Sequence, residues 1–168
     1  MEIVNRVAAS SLVTLDLEEH YHSGERVLLD IKDWLFQGLL LKEKEFRTAV
    51  KEHNWDQYEG KNVAITCSTE AIVPAWAYML VTTKLKNAHL VVLGSLERLE
   101  LVLFHQALAH IDLEDLQGAK VVVKGCGNLP IPHAAYVEIT RLLTPVVSSL
   151  MYGEPCSTVP VYKAPKNK

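Results

Sequence analysis

The chain has 168 residues, of which 49% are hydrophobic and 22% charged, and its formal net charge is -3. This length fits one domain that buries a sizeable core, and the composition is typical of ordinary globular proteins. The slightly acidic balance argues against a nucleic-acid partner, because phosphate contacts need a basic face.

The sequence carries no signal for secretion or for a membrane. Its N-terminus lacks a basic stretch followed by an apolar one, so it predicts no signal peptide. The apolar stretch 71–81 is too short to span a bilayer, and it contains Pro74. We therefore expect a cytoplasmic protein with no membrane partner. In that reducing compartment the three cysteines would remain thiols.

The first half of the chain predicts strands separated by a helix. Residues 1–25 are interpreted as a peripheral N-terminal segment with a short strand over 12–17. A second strand is predicted over 26–31, after the turn signal of a serine and a glycine. An amphipathic helix follows over about Glu43–His53, and the next strand ends at Cys67.

The middle of the chain continues this alternation. A buried helix is predicted from Pro74 to Val81, because this segment is apolar nearly all round. Leu90–Leu93 lacks alternation and predicts a strand covered on both faces. A helix then runs from the N-cap Ser95 to about His110, and the next strand ends at Cys126.

The C-terminal part predicts a helix, an edge strand and a tail. The helix is expected from about His133 to Leu150, bent near Pro145. Val159–Tyr162 predicts an edge strand, where proline is tolerated, and 163–168 a flexible tail. Together the elements predict an α/β sandwich that forms a single domain over 1–168. Its sheet is mainly parallel or mixed, with helices on both faces.

The three cysteines are the candidate functional residues. Cys67 and Cys126 directly follow strands, and Cys156 lies near the C-terminus. If these strands run parallel in one sheet, the first two thiols emerge at the same edge, where α/β proteins keep their sites. Gly125 and Gly127 flank Cys126 and leave its sulfur approachable.

A metal site is one interpretation of these residues. Thiolates are ligands for zinc and iron, and His133 could complete a Cys₃His tetrahedron with Cys67, Cys126 and Cys156. The spacing C-x-x-C is absent, so the fold would have to bring the thiols together. The alternative is that the cysteines are packing residues, since free cysteine commonly acts as a small hydrophobe.

Other common catalytic motifs are missing from the sequence. There is no G-x-S-x-G elbow, no phosphate-binding G-x-x-x-x-G-K-[ST] loop and no dinucleotide-binding G-x-G-x-x-G. Nucleotide-dependent chemistry is therefore not expected.

Four segments resemble a known family. They are Val27–Gly38, Ala71–Met79, Lys124–Gly127 and Met151–Pro160, and the last is the most specific. The chain is similar over essentially its whole length to an uncharacterised bacterial family catalogued as domain of unknown function 2480. The family has no assigned reaction and no established site. The resemblance implies a link to iron–sulfur cluster assembly, because genes of this family often lie beside assembly genes of the sulfur-mobilisation type.

Three hypotheses for function follow. The first is an accessory protein of iron–sulfur or metal metabolism, in which Cys67, Cys126, Cys156 and His133 bind zinc, iron or an iron–sulfur cluster, with assembly proteins as partners. The second is thiol or persulfide chemistry without metal, with Cys126 as nucleophile and another cysteine resolving it. The third is a non-catalytic binding or scaffold domain.

Overall fold

Strands and helices alternate along most of the described chain. The structure is a computed structural model that describes residues 12–154 and 156–166. The strands in this part are β1 (Leu12–Asp16), β2 (Arg26–Asp30), β3 (Asn62–Thr66), β4 (Leu90–Leu93), β5 (Lys120–Lys124), β6 (Ser149–Glu154) and β7 (Ser157–Lys163). The α-helices are α1 (Glu43–Glu52), α2 (Ala75–Lys84), α3 (Leu96–Leu108) and α4 (His133–Leu143). The predicted α/β fold class is confirmed.

The strands form two separate sheets, each within its own unit of the chain. Unit 1 comprises residues 1–22 and 103–168, and unit 2 comprises residues 23–102. The single domain over 1–168 stays a prediction. Of the predicted peripheral segment and flexible tail, residues 1–11 and 167–168 lie outside the described residues.

Unit 2 contains a parallel three-stranded sheet in the order β2-β3-β4. The central strand β3 is buried from Asn62 to Ile65, as expected for a parallel strand with covered faces. Phe46 of α1 and Val81 of α2 pack in the same core as Val63 and Ile65. The apolar stripes of both helices therefore cover one face of this sheet.

Unit 1 contains a mixed sheet in the order β1-β5-β6-β7. The strands β1, β5 and β6 are parallel, and β7 returns antiparallel to β6 as the edge strand that the sequence predicted. Helix α4 buries Ala135, Ile139 and Leu143 in one core with Val121 and Val123 of β5. The spacing of four residues puts these three side chains on one face of the helix.

One predicted helix is too long. The helix expected to run from His133 to Leu150 ends at Leu143, and Ser149–Glu154 forms β6 instead. Pro145 has no amide hydrogen to continue the helix, so the helix ends although Thr144 still has helical dihedral angles. The prediction of a bend at this proline was wrong, because the chain leaves the helix there.

Two further segments are less buried than predicted. Only Ala77 and Val81 of α2 are buried, and Met79 is 68% exposed, so α2 is a one-sided helix. Leu93 of β4 is 53% exposed, because β4 is the last strand of its sheet. An apolar run therefore did not indicate complete burial in either case. No α-helix of the described residues is long and apolar enough to cross a membrane.

The core of unit 2 predicts a contrast between two isoleucines. Ile65 is 2% exposed on β3, whereas Ile72 is 90% exposed in the loop that follows. We expect Ile65→Ala to lower the free energy of unfolding by about 2–5 kcal/mol, because it leaves a cavity. The matched change Ile72→Ala should alter it by less than about 0.5 kcal/mol. Urea unfolding of the two variants measures both, and equal effects would contradict the packing described.

Candidate thiol site

Cys126 lies in the loop after β5, against a tyrosine of the neighbouring strand. Its Sγ is 2.5 Å from Oη of Tyr152, and the side chain is exposed. The parallel pairing aligns Val123 of β5 with Tyr152 of β6. Tyr152 therefore stands beside the loop that carries Cys126, and its hydroxyl can donate a hydrogen bond to a sulfur anion.

Tyr136 of α4 supplies a second hydroxyl beside the sulfur. Burial raises the pKa of Tyr136 to about 12, and the neighbouring Cys126 and Tyr152 add to this shift through charge and a hydrogen bond to Cys126. The pKa of Tyr152 is also raised, mainly by its hydrogen bond with Cys126. The two rings meet edge to face, with centroids 5.7 Å apart. Both phenols therefore stay protonated at neutral pH and remain donors.

The glycines beside Cys126 allow close packing. A Cβ on Gly125 would collide with the Tyr136 hydroxyl, and a Cβ on Gly127 would collide with the Glu18 carboxylate. Oε1 of Glu18 also accepts a hydrogen bond from the Leu129 amide at 2.8 Å. The glycines thus let the loop approach its neighbours, and Glu18 holds the far side of the loop.

Ion pairs join the ends of the three parallel strands. Nζ of Lys124 lies 3.4 Å from Oδ2 of Asp16 and 3.8 Å from Oε1 of Glu154. The pKa of Lys124 is raised, with the charge of Glu154 as the largest cause and Asp16 next. Lys124 therefore stays positively charged, with its charge opposed by these two carboxylates.

An apolar cavity of about 560 Å³ opens beside Cys126. This volume lies in the range of small-molecule sites, which are mostly apolar with a few placed polar groups. The described polar side chains that line it belong to Cys126, His133, Tyr136, Thr140 and Tyr152. Its apolar lining comes from Val123, Leu129, Ile131, Val137, Leu150, Met151 and Val161.

The structure brings together only part of the predicted metal site. Cys126 and His133 line the same cavity. Cys156 is exposed at the turn between β6 and β7, so it follows the carboxyl end of the strand next to β5. Cys67 follows β3, in the sheet of unit 2. The expectation that Cys67 and Cys126 share one sheet edge was wrong, because their strands belong to different sheets.

The ligand set for a metal is not assembled within the described residues. No group of three or more His, Cys, Asp and Glu side chains there could hold a metal ion. The partners found at the Cys126 sulfur are phenol hydroxyls. The site formed by Cys67, Cys126, Cys156 and His133 stays a prediction.

Cys67 has a different environment from Cys126. It is half-buried, and its Sγ lies 3.3 Å from Oγ1 of Thr69 within its own loop. It also packs against the core of unit 2. Burial raises the pKa of Tyr78, and the charge of Cys67 adds to that shift. The packing interpretation of free cysteine suits Cys67 best.

Sequence reasoning missed Tyr136, Tyr152 and Glu18 as neighbours of Cys126. Tyr152 lies within the most specific family-like segment, but that segment was not recognised as a strand next to β5. Glu18 lies in a turn more than a hundred residues before Cys126. Tyr136 lies on helix α4, about ten residues after Cys126. The contact of Tyr152 depends on strand pairing, and those of Tyr136 and Glu18 depend on how α4 and the turn after β1 pack in unit 1.

The raised pKa of Tyr136 predicts how stability depends on pH. The phenol is held protonated in the folded state up to a pKa of about 12, but in the unfolded chain it ionises from about pH 10. The contribution of the protonated phenol to the free energy of unfolding is therefore complete below about pH 10. It is lost as the pH rises toward 12. In urea unfolding, we expect stability to fall more steeply over this interval for the wild type than for Tyr136→Phe. Equal slopes would contradict the raised pKa.

The comparison with known families matches nearly the whole chain. The family described as "Protein of unknown function (DUF2480)" matches residues 1–164. No curated protein and no solved structure matches the chain. The resemblance seen in the sequence is therefore confirmed, and the chain belongs to the DUF2480 family.

Proposed function

We propose that unit 1 contains a thiol site that works without a metal. In this site Cys126 accepts a sulfane sulfur and carries it as a persulfide. The observation that carries this proposal is the Tyr152 hydroxyl hydrogen-bonded to an exposed, glycine-flanked sulfur, with the Tyr136 hydroxyl in the lining of the same cavity. A phenol can donate a hydrogen bond to an attacking sulfur, and hydrogen bonds to charged groups are stronger than neutral ones. The adjoining cavity gives room for the molecule that delivers the sulfur.

The proposed reaction is a sulfur transfer between thiols. The thiolate of Cys126 attacks the outer sulfur of a donor persulfide, R–S–SH. A new sulfur–sulfur bond forms at Cys126 while the sulfur–sulfur bond of the donor breaks. The donor leaves as the thiolate R–S⁻, which takes a proton from water, and the protein keeps Cys126–S–SH. No external oxidant or reductant is needed, because the sulfane sulfur only changes its partner.

The roles of Tyr152 and Tyr136 follow from the same geometry. As protonated phenols they donate to the attacking sulfur and then to the persulfide anion. The apolar lining lowers the local dielectric, which strengthens each of these hydrogen bonds. Enzymes often place hydrogen-bond donors where negative charge develops during a reaction. In the proposed transfer, the phenols would do this for the charge on sulfur.

The proposal extends to location and partners. A reduced thiol at Cys126 suits a cytoplasmic protein. Reduction of a persulfide releases sulfide, which iron–sulfur clusters contain. We therefore propose the proteins that assemble iron–sulfur clusters as partners of this protein.

Persulfide labelling tests the role of Cys126. After treatment of the reduced protein with a small-molecule persulfide, mass spectrometry should find one added sulfur atom on the peptide with Cys126. Cys126→Ser should abolish it, and the control Cys67→Ser should keep it. Tyr152→Phe should slow loading roughly tenfold, because it removes a hydrogen bond to a charged group. The control is Tyr162→Phe, a tyrosine packed against the core of unit 1. Equal loading of Cys67 and Cys126 would contradict the proposal.

Metal analysis separates the thiol proposal from the three-cysteine metal site. The protein should be purified without air and without a metal-binding tag. A structural zinc site of ordinary affinity would keep about one equivalent of metal per chain. For the thiol proposal we expect less than about a tenth of an equivalent. A full equivalent of metal that is lost in Cys67→Ser, Cys126→Ser and Cys156→Ser alike would overturn the thiol proposal and support the metal site.

A further inference from the structure

The geometry points to an uncharged, apolar small-molecule persulfide as the donor, whose organic group occupies the cavity beside Cys126. This inference rests on the proposed function, and it names the chemical class of the group R. It excludes charged thiol carriers such as glutathione as preferred donors.

Cys126 borders two spaces of different size and character. The pocket on one side has a volume of about 110 Å³ and is lined by Lys124 and Glu154 among others. The cavity on the other side measures about 560 Å³. The smaller pocket holds only a few atoms, so an organic group of any size must enter the larger one.

Apart from the imidazole of His133, the described lining of the larger cavity offers no ionisable nitrogen or carboxylate as a partner for a charge. Among the described residues that line it, none is Asp, Glu, Lys or Arg. A carboxylate or ammonium that enters an apolar site without a partner loses its hydration at high cost. Donors whose group R carries several charges are therefore expected to bind there less favourably than neutral apolar donors.

The rim of the cavity favours apolar contact. Val137 is 70% exposed, Val161 54% and Leu129 38%, and all three line the cavity. An apolar group bound here would cover these exposed side chains, and the burial of apolar surface from both partners is favourable. The three side chains come from α4, from β7 and from the loop after Cys126, so they surround the opening on several sides.

On the other side of Cys126 the charges are already paired. Lys124 lies between Asp16 and Glu154, so its ammonium is opposed by two carboxylates. The carboxylates of a charged donor would meet these acidic groups rather than an available cation. The electrostatics of the small pocket therefore agree with the selectivity of the large cavity.

Alkylation with two neutral reagents measures the preference of the Cys126 site for an apolar group. Iodoacetamide and N-benzyl iodoacetamide share one reactive group and differ by an apolar ring. Cys156 is exposed outside the cavity and serves as the reference thiol in the same chain. We expect the benzyl reagent to raise the rate ratio of Cys126 to Cys156 by at least about tenfold, which corresponds to burying roughly two methylene groups. An unchanged ratio would overturn the inference.

A matched pair of exposed valines tests whether the cavity causes the preference. Val137→Asn places an amide on the cavity wall, and Val159→Asn places one at a 59% exposed position of β7 that does not line the cavity. Both positions are exposed, so both variants should fold. The benzyl preference should fall about threefold or more in Val137→Asn and stay unchanged in Val159→Asn. Equal loss in both variants would contradict the assignment to this cavity.

Two persulfide donors separate this inference from the function on which it rests. Benzyl persulfide should load Cys126 at least about tenfold faster than glutathione persulfide. Equal loading by the two donors would overturn the apolar donor and leave the persulfide function intact. Loading by neither donor would overturn the persulfide function itself, and the donor class with it.

Discussion

The parallel register of β5 and β6 determines the chemical surroundings of Cys126. Pairing of Val123 with Tyr152 sets the phenol beside the loop 125–127, with Tyr152 Oη against the sulfur. Side chains alternate between the two faces of a strand, so a slip of one residue would turn Tyr152 to the opposite face. The contacts of Gly125 and Gly127 come from other parts of unit 1, because Gly125 faces Tyr136 of α4 and Gly127 faces Glu18 after β1.

Apolar burial holds this register more firmly than the ion pairs do. Val121 and Val123 of β5 and Leu150 of β6 lie in one core, each less than 5% exposed. Burial of one such side chain contributes about 1.5–3 kcal/mol, and a slip of β6 by one residue would turn Leu150 away from this core. The pairs of Lys124 with Asp16 and Glu154 are exposed to solvent, where ion pairs contribute little to stability. Their effect is local, in aligning the strand ends around the site.

The sequence predicted local elements well and their assembly poorly. Helix α1 begins at Glu43 as expected, and Ser95 caps α3 by accepting a hydrogen bond from the Arg98 amide at 3.2 Å. Such features depend on neighbours within one turn. The division into two sheets depends on contacts between distant strands, and no local pattern distinguishes Val63–Ile65 from Val121–Val123. Both segments are continuous apolar runs of buried parallel strands.

The same distinction between local and distant contacts explains which cysteine carries the proposed chemistry. The local pattern marked Cys126 as approachable, because glycines flank it. The local pattern did not distinguish a cysteine that serves in packing from one proposed to react, since both Cys67 and Cys126 follow a strand. Cys67 finds its partner Thr69 two residues away, whereas Cys126 finds Tyr136 and Tyr152 through the fold.

A small hydrophobe needs no pair of phenol donors held protonated beside it, because burial alone would satisfy it. A negatively charged sulfur is stabilised by such donors, because hydrogen bonds to charged groups are stronger than those to neutral ones. The surroundings of Cys126 therefore combine an open approach, two donors and an apolar space. In the proposed function, this combination distinguishes Cys126 from a thiol that serves only in packing.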